Sequence, residues 1–277
     1  MTAPIQVTHL FPVLDHLLLD LLKDLSPEDW QKQTIARLWT VKDVAAHLLD
    51  GNIRTLSIQR DRYFGDQPPA IQSYTELVGW LNQLNADWVT ASKRMSTEVL
   101  IMLLEITGKQ VNAYYASLEP TAKAIFPVAW AGEKESENWF HVAREYTEKW
   151  HHQQQIREAV GQQALLTREL FYPLADTFLR GLPHALRHTE AATGTVVGCH
   201  VSSEIGGTWY ARRTNTGWHL TTVEPTDEPA AIVAISPETA WKLFTKGISP
   251  AEAKQQAQIT GNTDFAEAIL QMIAVMA

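Results

Sequence analysis

Leu14, Leu17, Leu18, Leu21, Leu22 and Leu25 recur at steps of three and four residues, the apolar stripe of a helix packed in a bundle. The period returns in WTVKDVAAHLLDGNIRTLSIQRD, residues 39–61, where Thr40 and Asp43 stand at the N-cap and N3 positions of a capping box. After a polar loop at 63–72 (YFGDQPPAIQ), helical patterns run through 73–95 and 96–118. Residues 119–137 read as a connection. A last helix covers 137–160, with Gly161 placed as its C′ glycine. The pattern predicts four main bundle helices, or five counting the leader.

Past residue 165 the period changes. One more amphipathic helix (TRELFYPLADTFLRGLPHALRH) leads into strand-like runs at GTVVGCHVSS, TWYARRT, GWHLTTVE and AAIVAIS. RRTNTGWHL is a hairpin signal, its turn at Asn215 to Gly217. SPETAWKLFTKG opens as a helix, a short connection follows, and DFAEAILQMIAVMA closes the chain as another. The expected fold class is α+β: an up-and-down four-helix bundle over residues 1–165, then a smaller α+β domain over 166–277 with an antiparallel sheet and helices on one face.

Composition narrows the function classes. At 277 residues the chain suits two domains, and 45% apolar with 19% charged residues is a globular balance. A net charge of −8 with no basic block argues against a nucleic-acid partner. The leucines of the leader are interrupted by Asp15, His16, Asp20, Lys23 and Asp24, so it reads as neither signal peptide nor membrane span. A cytoplasmic protein with no membrane partner, monomeric or homodimeric and acting on a small molecule, is expected. The one cysteine, Cys199, cannot form an internal disulfide or a cysteine-type zinc site. It reads as a small buried hydrophobe in a strand, with the adjacent His200 on the opposite face. His219 reads as a strand surface residue, and the ten tryptophans, Trp80, Trp88, Trp139 and Trp150 among them, as core.

The candidate chemistry lies in EYTEKWHHQQQIREAVG, residues 145–161. At 100° per residue, Glu148 and His152 are about 40° apart and one turn apart in height, so they face the same patch. His141, Glu145 and Gln155 extend that polar stripe. Val142, Ala143, Tyr146, Trp150 and Val160 centre on an adjacent apolar face, and His151 falls on neither, facing solvent. An isolated Glu-x-x-x-His pair is equally a solvated helix pair worth a few tenths of a kcal/mol. A third ligand would decide between them. His47 is the candidate, at the edge of a face that buries Trp39, Val44, Leu48 and Ile53; alternatively it is a hydrogen-bonded core histidine. Two imidazole nitrogens and a carboxylate oxygen from facing helices, with a position left open, compose a catalytic zinc site. Such ligands suit Zn²⁺ first, with Ni²⁺ or another divalent metal able to substitute. Asp50 and Gln155 are candidates to fix the imidazole tautomers.

Together, LWTVKDVAAHLLDGNIRTLSIQRD and AREYTEKWHHQQQIREAVG resemble the metal-binding N-terminal domain of the mycothiol-dependent maleylpyruvate isomerase family, a group of DinB-like four-helix bundles. The C-terminal stretch from AISPETAWKLFTKG onward is similar to the sterol-carrier-like domain of some members. The resemblance places a His, Glu, His metal triad on His47, Glu148 and His152. It implies a low-molecular-weight thiol such as mycothiol as cosubstrate, activated as thiolate for addition to an unsaturated diacid, and a cationic clamp for that anion. Arg212 and Arg213 are candidates for the clamp, as are Arg54 and Arg157, which could instead form ion pairs with Asp50 or Glu158.

Three readings follow. The preferred one is a metal-dependent, thiol-using isomerase or transferase. The second is a hydrolase with a metal-bound water and Glu145 as base. The third is a binding module for an apolar ligand with a structural metal, His141 or Glu145 supplying a fourth ligand.

Overall fold

The computed structural model describes residues 3–65, 69–221 and 223–275, apart from the side chain of Tyr74. Part of the expected loop at 63–72 and one residue of the third strand-like run fall outside these. Among the described residues the chain divides into two compact units that no single cut near residue 165 separates: those within 7–120 with 148–164, and those within 3–6 and 121–147 with 165–275.

The first of these units holds α1 (Phe11–Asp24), α2 (Val41–Arg54), α3 (Tyr74–Ser92), α4 (Thr97–Ser117) and the second half of α5 (Asn138–Val160). The leucine stripe of α1 does what its spacing dictates: Leu18, Leu21 and Leu22 pack with Val41, Val44, Ala45, Leu48 and Leu49 of α2, Leu100 and Leu104 of α4, and Ile156 of α5. Thr40 opens α2 with both hydrogen bonds of the capping box. A π-helical turn, Thr55–Arg60, continues α2 and buries Thr55 and Gln59; Thr55 Oγ1 lies 3.1 Å from the hydroxyl of Tyr115. At the end of α5, Gln162 N–H donates to Arg157 O and Gly161 N–H to Glu158 O. That is a Schellman close, and it needs the φ of +76° that Gly161 adopts.

The half of α5 in this unit is unusual. Residues 150–157, Trp-His-His-Gln-Gln-Gln-Ile-Arg, are all buried although only two are apolar. Polar groups without a water-facing side must find partners within the fold. Just before this stretch, Lys149 Nζ meets Asp15 Oδ1 at 2.6 Å, and Asn112 Nδ2 donates to the other carboxylate oxygen at 2.8 Å. Arg157 Nη2 donates to the carbonyl of Leu17 at 2.7 Å.

The other unit carries α6 (Arg168–Leu179), α7 (Leu182–Ala185), α8 (Pro237–Phe244), α9 (Pro250–Gln256), α10 (Thr263–Leu270) and a sheet. Its strands are β1 (Val196–Val201), β2 (Gly207–Thr214), β3 (Gly217–Thr221), β4 (Ala231–Ile235) and β5 (Gln258–Gly261), in the order β3-β2-β1-β4-β5. The expected hairpin turns at Asn215 and Thr216, with Gly217 at φ +137°. The sheet expected to be antiparallel is mixed: β1 and β4 run parallel. The chain leaves β3 at one edge and crosses to the far side of β1 before starting β4, so β4 takes the direction of β1. Residues 258–261, expected as connection, form the edge strand β5; edge pairing is mainly a matter of backbone hydrogen bonds, and Gln-Ile-Thr-Gly carries little strand patterning. The C-terminal helix ends at Leu270, earlier than its apolar run.

Register places Val197, Cys199 and Val201 beside Ala231, Val233 and Ile235 on one side and beside Ala211, Trp209 and Gly207 on the other. All except Gly207 are buried, so one face of the sheet is core. Cys199 lies fully enclosed in it, and burial pushes its thiol up to about 12. His219 is exposed, as expected. Of the four tryptophans singled out, only Trp150 is fully buried; Trp80, Trp88 and Trp139 are half-exposed. Their indole N–H groups favour positions with a polar outlet: Trp88 donates to Ala46 O and Trp139 to Glu137. Among the described residues, no helix is long and apolar enough to cross a membrane.

Candidate metal centre

Two helices carry the candidate ligands, and both sets of residues belong to the helical unit. The loop before α2 ends in Trp39-Thr40. Gln33 Nε2 and Thr34 Oγ1 both donate to the Trp39 carbonyl at 2.8 Å, while Thr40 caps α2. The dipeptide therefore does two things: the threonine starts the helix that carries His47, and the indole lies against the imidazole, ring centres 4.7 Å apart.

The His47 ring is 4.6 Å from that of His152, nearly edge-on. His47 Nδ1 is buried and has no hydrogen-bond partner in the structure. Its pKa falls well below the usual imidazole value, first because of burial and then because His152 and Arg54 are near, with Glu148 pulling the other way.

On α5, His152 Nδ1 pairs with Gln155 Oε1 at 2.9 Å. A carbonyl oxygen can only accept, so Nδ1 donates, and in the neutral ring Nε2 is the nitrogen available to a metal. That Nε2 lies 3.6 Å from Glu148 Oε2. The Gln155 contact is the tautomer-fixing arrangement that metal-binding histidines use. We expect Gln155→Ala to weaken divalent-metal binding by about 10- to 100-fold, read by competition titration with a chromogenic chelator; unchanged affinity would show that Gln155 is a packing residue.

His151 corrects the sequence reading. Expected to face solvent, it is only 3% exposed. Its Nε2 is 3.9 Å from the same Glu148 Oε2, and its ring centre is 4.0 Å from that of His152. Glu148, His151 and His152 each offer a ligand atom within 4.8 Å of the others. The helix reading failed here because it assigned α5 one wet side, and its middle has none. The signal was nonetheless present. Seen down the axis, His151 and His152 stand about 60° and 40° to either side of Glu148, and helical side chains lean toward the N-terminus, where that carboxylate sits.

The remaining candidates are placed as follows. Asp50 pairs with Arg54 at 2.9 Å, and Arg54 also donates to Asn85 Oδ1 at 3.2 Å. Burial raises the Asp50 pKa against the pull of Arg54. Arg157 is 4% exposed and occupied by the Leu17 carbonyl. Arg212 and Arg213 sit half-buried on β2, Arg212 donating to Gly194 O. Glu145 and His141 belong to the other compact unit. There Arg144, which the sequence reading passed over, donates to Glu145 and to His141 Nδ1.

The cluster of Glu148, His151 and His152 offers imidazole nitrogens and one carboxylate, a set that suits a borderline divalent cation; His47, whose buried Nδ1 has no partner, stands beside His152 but is not one of the residues of that cluster. An unanswered buried polar atom costs about 1–3 kcal/mol, which a bound cation would remove.

Residues 12–157 match the family described as Mycothiol maleylpyruvate isomerase N-terminal domain. The chain belongs to this family. Among solved structures, a histidine-to-alanine mutant of the mycothiol-dependent maleylpyruvate isomerase is similar with a TM-score of 0.53 at 10% identity, over 91% of each chain. A second structure of that isomerase gives a TM-score of 0.47 at 11% identity, over 85% of this chain and 86% of that one. Sterol Carrier Protein 2 Like 2 from Aedes aegypti gives 0.26 at 12% identity, over 35% of this chain and 94% of that one. No curated protein matches the sequence. The α+β fold is thus one that the maleylpyruvate isomerase family already displays, as the resemblance led us to expect.

Proposed function

We propose that this member of the maleylpyruvate isomerase family is a divalent-metal, thiol-dependent isomerase or transferase. Its metal, Zn²⁺ in the first place, would be held by His47, Glu148 and His152. The observation that carries the reading is the pairing of His47, with its partnerless buried Nδ1, against a His152 whose Nδ1 is engaged by Gln155 and whose Nε2 lies 3.6 Å from Glu148. A divalent cation in such a set favours a thiolate at neutral pH.

The residues of this chain support that chemistry in distinct ways. Gln155 keeps the proton on His152 Nδ1. Glu148 supplies the one negative charge among the donors. Trp39 lies against the His47 ring and its ring centre is 6.2 Å from that of His152. Membership of the maleylpyruvate isomerase family supports a substrate of the maleylpyruvate kind, a small, unsaturated diacid.

Two measurements test the proposal. Purified protein should contain stoichiometric metal that His47→Ala loses, and isomerisation of an unsaturated diacid should require mycothiol. Absence of metal would remove the reading. Turnover of an ester or amide without thiol would replace it with hydrolysis.

A further inference from the structure

We propose that His151 is a further metal ligand, so that the centre is a three-imidazole, one-carboxylate set rather than two imidazoles and a carboxylate. The inference rests on the metal-binding reading above and extends it.

Three observations on α5 carry it. First, a single atom, Glu148 Oε2, lies 3.9 Å from His151 Nε2 and 3.6 Å from His152 Nε2. Donors on a common cation, each about 2.1 Å from it, are separated by at most about twice that length, so both separations fit one ion. Second, His151 is not on a wet face: at 3% exposure its imidazole has been taken out of water into a group of donors. Third, neighbouring residues on a helix usually diverge by 100°. Here the two rings tilt together to a centre distance of 4.0 Å with Glu148 between their directions.

The consequence concerns coordination. Four protein donors close a tetrahedron, whereas a five- or six-coordinate ion retains room for an exogenous thiol. The set therefore favours metals that readily exceed four ligands, Co²⁺ or Ni²⁺, relative to a site with three donors.

The test compares wild type with His151→Gln, which keeps a polar side chain of similar reach, and His151→Ala. Both are checked for folding by circular dichroism before loading with Co²⁺. X-ray absorption should count three coordinated imidazoles in the wild type and two in the variants. Co²⁺ affinity should fall at least about 100-fold, beyond the ~10- to 100-fold range of residues that only orient a ligand. The visible Co²⁺ spectrum should change in band position as well as intensity. Two imidazoles in the wild type that remain two in both variants, or a folded variant with an unchanged spectrum and affinity, would overturn the proposal while leaving the His47, Glu148, His152 reading intact. A wild type that binds no metal would overturn both.

Discussion

His152→Ala protein should emerge from purification folded and without stoichiometric metal, its affinity for Zn²⁺ lowered at least about a thousandfold, or ~4 kcal/mol. Truncation removes the donor whose tautomer is fixed by Gln155 and whose Nε2 faces Glu148. It also leaves Gln155 Oε1 buried without its partner, a cost of about 1–3 kcal/mol that a domain of ordinary stability survives. Elemental analysis and chelator competition measure the first effect, and circular dichroism with thermal melting the second. Metal retained at one equivalent by the variant would take His152 out of the ligand set. Simultaneous loss of metal and of helical signal would assign the residue to folding.

The second large effect is on stability against pH. His141 is 1% exposed, and its pKa is lowered to about 2, by burial first and by the Arg144 guanidinium second. In the folded chain it therefore stays neutral, while in the unfolded chain it takes a proton near the ordinary 6.5. The unfolded state binds more protons below 6.5, so stability is full above that pH and declines as pH falls toward 2. The slope from this residue approaches about 1.4 kcal/mol per pH unit below 6.5, roughly 2 kcal/mol in all between pH 6.5 and 4.5. With chelator present, urea titrations of His141→Asn should show a shallower slope than wild type by that amount. His47 is depressed in the same direction, but it is shared by both proteins and cancels in the comparison. Parallel slopes would show that His141 is not kept neutral.

Much of this architecture could be read from residue spacing because spacing is local. The leucine steps of α1, the Thr40–Asp43 box, the Gly161 close and the Asn215–Gly217 turn each depend on a few neighbours, and each stands where its pattern put it. What spacing could not supply was enclosure. Nothing in Trp-His-His-Gln-Gln-Gln-Ile-Arg announces a helix buried on every side, since that depends on other chain segments, such as the one carrying Leu17, whose carbonyl takes the Arg157 proton from 140 residues away. For the same reason His151 was assigned to water, and β5 and the parallel β1–β4 pairing went unseen. Of the candidate site, the Glu148–His152 pair and its Gln155 contact were legible from helix geometry. The approach of His47 to His152 is a tertiary fact, for which its position beside buried Val44 was only a hint.

The sealed position of Cys199 has a chemical meaning for a protein proposed to bring an electrophile and a free sulfhydryl together. Burial pushes its thiol up to about 12, so it stays protonated at neutral pH, and the side chain is enclosed. The polypeptide thus offers no ready thiolate of its own to be alkylated by such a compound or trapped as a mixed disulfide, and the thiolate in the proposed encounter is the one that arrives from solution.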